Sequence, residues 1–244
     1  EGLYKRILEV QPSHAYSLNN LGAVFEAQGR SEEAIASCEK ALSVKPDYAE
    51  AHCNLGLILF EQGRLDKAAT TYGRALSIKP DYAEAHFGLG VILHRQGRLE
   101  EAIARYDRAI AIRPDFAEAH FELGRSLYEL DRLDEAAASY RHAIEFKAGH
   151  AGAHFNLGQI LTDQGSLKEA VNCFENALRI DPDHGKALSS FIHQRQYICR
   201  WDGLNEPLQR MFDQINRGRG ELAPFPLLSV CDDPGVHLRC ARNF

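Results

Sequence analysis

Prolines stand on a comb with teeth 34 residues apart: Pro12, Pro46, Pro80, Pro114 and Pro182, with Ala148 at the remaining tooth. The pairs Leu21-Gly22, Leu55-Gly56, Leu89-Gly90, Leu123-Gly124 and Leu157-Gly158 keep the same step, as do Ala34, Ala68, Ala102, Ala136 and Ala170. A period of this length, holding two short amphipathic stretches, predicts pairs of helices stacked in a row. No single pair can bury its apolar face alone, so each repeat depends on its neighbours for a core. Such a body is expected to bind other proteins, with any chemistry placed elsewhere.

The repeat explains its own residues. Gly22, Gly56, Gly90, Gly124 and Gly158 fall in mid-helix, where glycine costs about 1 kcal/mol relative to alanine. Their recurrence implies that a neighbouring helix needs the space, with the alanine series opposite. Gly29, Gly63, Gly97 and Gly165 are expected to end each first helix in the left-handed conformation that reverses the chain. Asp131 takes that place in the fourth repeat. The prolines close each second helix, and Asp47, Asp81 and Asp115 are expected to cap the first helix that follows. Ala148-Gly149-His150 lacks both features, which predicts a looser joint there. Acidic strings such as Arg98-Leu99-Glu100-Glu101 begin second helices, where carboxylates oppose the dipole and face solvent.

The charge balance narrows the partners. Across 244 residues the formal net charge is -6, so no basic surface for nucleic acid is expected. No apolar run approaches the roughly 20 residues that span a bilayer, and no signal peptide is legible. Cys38, Cys53, Cys173, Cys199, Cys231 and Cys240 form no CxxC pair. Cys38 and Cys173 read as buried thiols at apolar core positions, which suits a reducing cytoplasm. Residues 1–14 read as the second helix of a truncated repeat, and the chain as a piece of a longer protein.

The Leu-Gly pair, the bulky residue three further on, the Ala-x-x-x-aromatic element and the proline together resemble the tetratricopeptide repeat, in five copies over 15–184. The resemblance implies an all-α fold, a right-handed superhelix (an α–α solenoid), with the first helices lining its concave side. A protein or extended peptide would bind there. The groove register then holds Asn20, Asn54, Gly88, Glu122 and Asn156; an asparagine amide offers both donor and acceptor to a peptide backbone. Gly88 and Glu122 interrupt that ladder. Cys53, Phe87, Phe121 and Phe155 occupy the adjacent register, and Phe60, His94 and Tyr128 another. Replacing Asn54 and Asn156 with alanine is expected to weaken peptide binding at little cost in stability. His52, His86, His120 and His154 also recur, but equivalent residues on stacked helices lie about 10 Å apart. A metal ion needs its ligands at about 2 Å, so these read as packing histidines and no metal is expected.

Beyond Pro182 the pattern fails. Residues 185–216 read as capping or transition helices, with Leu204, Leu208, Met211, Phe212 and Ile215 at helical spacing. Asn216-Arg217-Gly218-Arg219-Gly220 reads as a linker, and Asp232-Asp233-Pro234 as a helix cap. Cys199-Arg200-Trp201-Asp202, then Pro224-Phe225, Leu227-Leu228, Asp233-Pro234 and Arg242, resemble the entry to the catalytic region of bacterial O-linked N-acetylglucosamine transferase-like proteins, relatives of SPINDLY. Residues 217–244 would then open a glycosyltransferase region. The resemblance implies a parent enzyme that moves a sugar from UDP-GlcNAc or a GDP-sugar to Ser or Thr. Phe225 and Pro226 stand where animal members carry a histidine. No group in these residues would stabilise the leaving diphosphate, so no catalysis and no cofactor are expected of this segment itself. The alternative is a stand-alone interaction scaffold whose tail only caps the solenoid.

Overall fold

The computed structural model describes residues 1–198 and 204–217, and every regular element among them is an α-helix. The chain divides into two compact units, Glu1–Asp131 and Arg132–Phe244. The first holds α1 (Gly2–Val10), α2 (Ala15–Ala27), α3 (Ser31–Val44), α4 (Ala49–Glu61), α5 (Leu65–Ile78), α6 (Ala83–Arg95), α7 (Leu99–Ile112) and α8 (Ala117–Glu129). The second holds α9 (Leu133–Phe146), α10 (Ala151–Asp163), α11 (Leu167–Ile180), α12 (Gly185–Tyr197) and α13 (Asn205–Asn216). The described residues are all-α, and within each unit the antiparallel helix pairs stack in the manner of an α–α solenoid.

In the first unit, α2 packs on α3, α4 on α5 and α6 on α7, while α2, α4, α6 and α8 also touch one another in series. The mid-helix glycines make these pairs close. A Cβ on Gly56 would stand 2.9 Å from the ring of Tyr72, and one on Gly90 2.5 Å from the ring of Tyr106. Ala34, Ala68 and Ala102 are fully buried as expected. The space at the glycines is filled by the side chain four residues further on, Cys38, Tyr72 or Tyr106. In the second unit Phe174 fills the same place against Gly158.

The reversals follow the expectation. Gly29, Gly63, Gly97 and Gly165 have φ between +72° and +74°, and Asp131 adopts +58° in the same role. The caps do not. Asp47, Asp81 and Asp115 lie one residue too early; the residues that start α4, α6 and α8 are Tyr48, Tyr82 and Phe116, with no side-chain cap bond. Tyr48 and Phe116 are buried there, so the position favours a ring that fills the core over a carboxylate that caps. His14, His150 and His184, in the same register, meet both demands: each accepts a bond through Nδ1 from the backbone N–H three residues on. The Ala148-Gly149-His150 joint, expected to be looser, therefore carries a cap that the joints at Pro46, Pro80 and Pro114 lack.

The recurring histidines close the joints. Nε2 of His52, His86 and His120 donates to the carbonyls of Pro46, Pro80 and Pro114 at 2.9–3.0 Å, and that of His154 to Ala148 at 3.3 Å. Burial is the first cause that lowers the pKa of His86 and of His154 below 6.5, helped at His86 by Arg105 and Arg108. A group depressed on folding contributes its full stability above the unfolded pKa and loses it as pH falls below. The urea midpoint should therefore drop between about pH 7.5 and about pH 5.5, and the drop should shrink in a His86→Gln/His154→Gln variant. An unchanged drop would assign the acid sensitivity to other groups.

Two cysteines differ. Cys38 is fully buried in the aromatic register, and burial pushes its thiol up to about 12. Cys173, by contrast, is only partly covered: it lies one residue before the core position, which Phe174 occupies. In the second unit α12 buries Leu188 and Ile192 against α11, and α13 buries Leu204, Met211 and Ile215 at its end. The Gln214 amide of α13 donates to the carbonyl of Asp183. Residues 199–203 and 218–244 lie outside the described part, and with them Cys199, Cys231, Cys240, the Gly218–Gly220 linker and every motif quoted for the transferase resemblance. Among the described residues no helix is long and apolar enough to cross a membrane.

Candidate functional site

The register alone does not make a groove; the first unit makes one where α4, α6 and α8 run side by side. A cavity of about 790 Å³ opens there, floored by Tyr72 from α5 and walled by the turns that carry Tyr82 and Phe116. Of the expected residues it gathers Asn54, Phe60, Phe87, Gly88, His94 and Glu122. Asn20 and Tyr128 are exposed outside it, and Phe121 is half-buried outside it. Asn156 and Phe155 belong to the second unit, where Asn156 donates to the Tyr140 hydroxyl at 3.2 Å and Phe155 packs on Phe174 and His184.

The asparagines are engaged in structure. The Asn54 amide donates to Oδ1 of Asn19 at 2.9 Å, and Asn19 is 3% exposed. Removing Asn54 orphans a buried acceptor, at a cost of about 1–3 kcal/mol. Sequence alone leads one to expect little stability loss from the Asn54/Asn156 double alanine; because both amides bridge helices, a measurable loss is expected instead. Gly88 breaks the ladder for a steric reason. A Cβ there would run into the ring of Tyr72, which is wedged between Gly56 and Gly88.

His94 ties α6 to α8. The Ser126 hydroxyl donates to the carbonyl of Glu122, so it accepts from Nδ1–H of His94 at 2.8 Å. That leaves Nε2 facing the Arg125 guanidinium at 3.4 Å and Glu129 at 3.2 Å. The order Ser126–His94–Glu129 has the composition of a hydrolase triad, but Ser126 is fully buried with its hydroxyl spent on a helix carbonyl. No substrate atom could reach it, and the network acts as an interhelix tether.

The remaining walls were not marked by sequence periodicity in the groove register. Leu57, 45% exposed, and Val91 supply apolar surface. Three arginines reach the cavity: Arg95 over the Phe60 ring at 4.1 Å, Arg113 over Phe116 at 3.4 Å, and Arg125 against Glu122 at 2.9 Å. A signal for one of them was available. Lys45-Pro46-Asp47-Tyr48, Lys79-Pro80-Asp81-Tyr82 and Arg113-Pro114-Asp115-Phe116 repeat a cation three residues before a ring, and each cation sits over that ring at 3.4–5.0 Å. Arg95 and Arg125 had no such signal, since glutamate and valine stand one repeat before them. Cys53, which the register of Phe87 did mark, also lines the cavity; burial raises its thiol to about 12 against the pull of the Tyr82 hydroxyl, so it stays a neutral wall. Among the described residues no group of three His, Cys, Asp or Glu side chains could hold a metal ion.

Comparison with known proteins follows the fold. The chain is similar in structure to PilF of Pseudomonas aeruginosa (TM-score 0.75, 18% identity, 83% of this chain and 90% of that one). It is similar also to YrrB, described as a TPR protein with an unusual peptide-binding site (0.59, 24%, 76% and 95%), and to MamA (0.59, 26%, 66% and 94%). The comparison with curated proteins returns no match. Models of the TPR repeat match residues 27–62, 56–97 and 92–131, and models of the tetratricopeptide repeat match 3–36, 117–149 and 151–184. With repeats matched from residue 3 to residue 184 and the helix pairs in place, the chain belongs to the tetratricopeptide-repeat family.

Proposed function

We propose that this chain is a protein-binding scaffold that holds an extended peptide in the groove of its first unit. The observation that carries the reading is the cavity itself, with Leu57, Val91, Phe60 and Phe87 beside the polar edges of Asn54 and Glu122. Apolar surface next to fixed polar groups is what a peptide with alternating side chains requires. YrrB, of similar fold, is described by its peptide-binding site, which supports the same use here. Peptides selected from a displayed library on the wild-type chain should bind with Kd in the micromolar range, on the order of 1–100 μM. They should lose about tenfold in a Leu57→Ser/Val91→Ser variant of unchanged helical content. Equal binding to both proteins would move the site away from this groove.

Recruitment of substrates to a protein O-GlcNAc transferase-like catalytic region, with a nucleotide-sugar donor, is the finer form of this reading. It rests on spaced residues between Cys199 and Arg242, whereas the family-model matches end at residue 184. Reading the parent gene past the codon for Phe244 tests it. Alternating strands and helices with a phosphate-binding turn would support it, and a nearby stop codon would leave the scaffold alone.

A further inference from the structure

Resting on the peptide reading, we infer that the groove selects peptides carrying an aspartate or glutamate beside a bulky apolar residue, and that Arg95 reads the carboxylate. The charges in the cavity are unbalanced in one direction. Three arginines, Arg95, Arg113 and Arg125, face two glutamates, Glu84 and Glu122, which leaves one positive charge in excess. Both glutamates are already engaged: Glu84 by Arg113 at 2.7 Å and Glu122 by Arg125 at 2.9 Å. Arg95 makes no ion pair among the described residues. Its guanidinium carbon lies over the Phe60 ring, 4.1 Å from the centroid, at the exposed end of α6.

That placement is suited to recognition. Contact with the ring restrains the guanidinium without using its N–H donors, so the fork remains available for a bidentate carboxylate. Its position on the rim leaves it partly hydrated, so an incoming carboxylate need not be stripped fully of water. The rest of the protein sharpens the choice. With a net charge of -6 overall, the chain's long-range field disfavours acidic partners, so such a peptide needs a local positive charge like that of Arg95. Leu57 and Val91, in the same cavity, receive the neighbouring apolar side chain. A second acidic position could compete with Glu84 for Arg113, but that arginine is already neutralised.

The test uses the full chain and a displayed library of random nine-residue peptides with blocked ends, selected in parallel on wild type, Arg95→Glu, and the Leu57→Ser/Val91→Ser variant. Wild type should enrich Asp or Glu next to Leu, Ile or Phe. Arg95→Glu should reverse the preference to Lys or Arg, and acidic peptides from the first selection should bind it at least tenfold more weakly, with the loss diminishing at high salt. If peptides are enriched that depend on Leu57 and Val91 but show no charge preference, the groove reading stands and the role of Arg95 falls. If nothing is enriched that depends on Leu57 and Val91, the groove reading falls as well. A phosphoserine peptide that outcompetes its glutamate counterpart on wild type but not on Arg95→Glu would overturn the carboxylate assignment in favour of a phosphate.

Discussion

Replacing Gly90 with leucine should lower stability by about 3 kcal/mol or more, the largest loss expected from one substitution in the first unit. Position 90 lies in the middle of α6, and its missing side chain is the space occupied by the Tyr106 ring. Tyr106 is fully buried, so the ring has nowhere to go, and either α6 or α7 must move bodily. Gly90→Ala should already be harmful, because its Cβ alone would meet a ring carbon at 2.5 Å. Gly73 supplies the internal control. It sits in α5 with no atom within 4 Å of a Cβ, so Gly73→Ala should stabilise by up to about 1 kcal/mol through helix propensity alone. Urea unfolding of the three variants would show the contrast. If Gly90→Ala stabilised as Gly73→Ala does, close packing at the Leu-Gly pair would not be what this glycine serves.

Tyr72→Ala is expected to be nearly as damaging, at about 3–5 kcal/mol, because it empties a site packed on both sides. The ring is 3% exposed and is wedged between Gly56 on α4 and Gly88 on α6, directly beneath the groove. The more telling result is the sign of a second substitution. Gly88→Ala in the wild-type chain drives a methyl into the ring and should destabilise. Made together with Tyr72→Ala, the same methyl enters the void and gains helix propensity, and it should recover about 1 kcal/mol. The cycle isolates one contact, since the two residues touch directly. Additive effects would show that Gly88 is not there to accommodate Tyr72. The outcome also bears on binding, because the floor of the cavity would collapse or open with Tyr72 while Arg95 and Leu57 keep their places on the rim.

Both predictions draw on positions whose type the sequence displays and whose partners it conceals. The 34-residue step, the mid-helix glycines and the turn residues were legible because they encode geometry local to one helix or one reversal. Gly63 at φ +73° and Asp131 at +58° answer the same demand in neighbouring repeats. The helix caps were misplaced by one residue, since burial of Tyr48 and Phe116 decides that position and burial is not a local property. Four residues of the groove registers, Asn54, Phe87, His94 and Glu122, line one cavity. The registers could not tell that Asn54 is bound to Asn19, from the preceding repeat, or that Arg95 lies over Phe60, from the repeat before its own.

The helix pair, its period, its reversals and the family were readable from the residues alone, because repetition records what every copy shares. Which copies differ in effect emerges only from the packing. Contacts between successive repeats join residues about one period apart in the chain. A single departure from the consensus, such as Gly88, Arg95 or Asn19, acquires its meaning from the unlike residue that stacking brings against it.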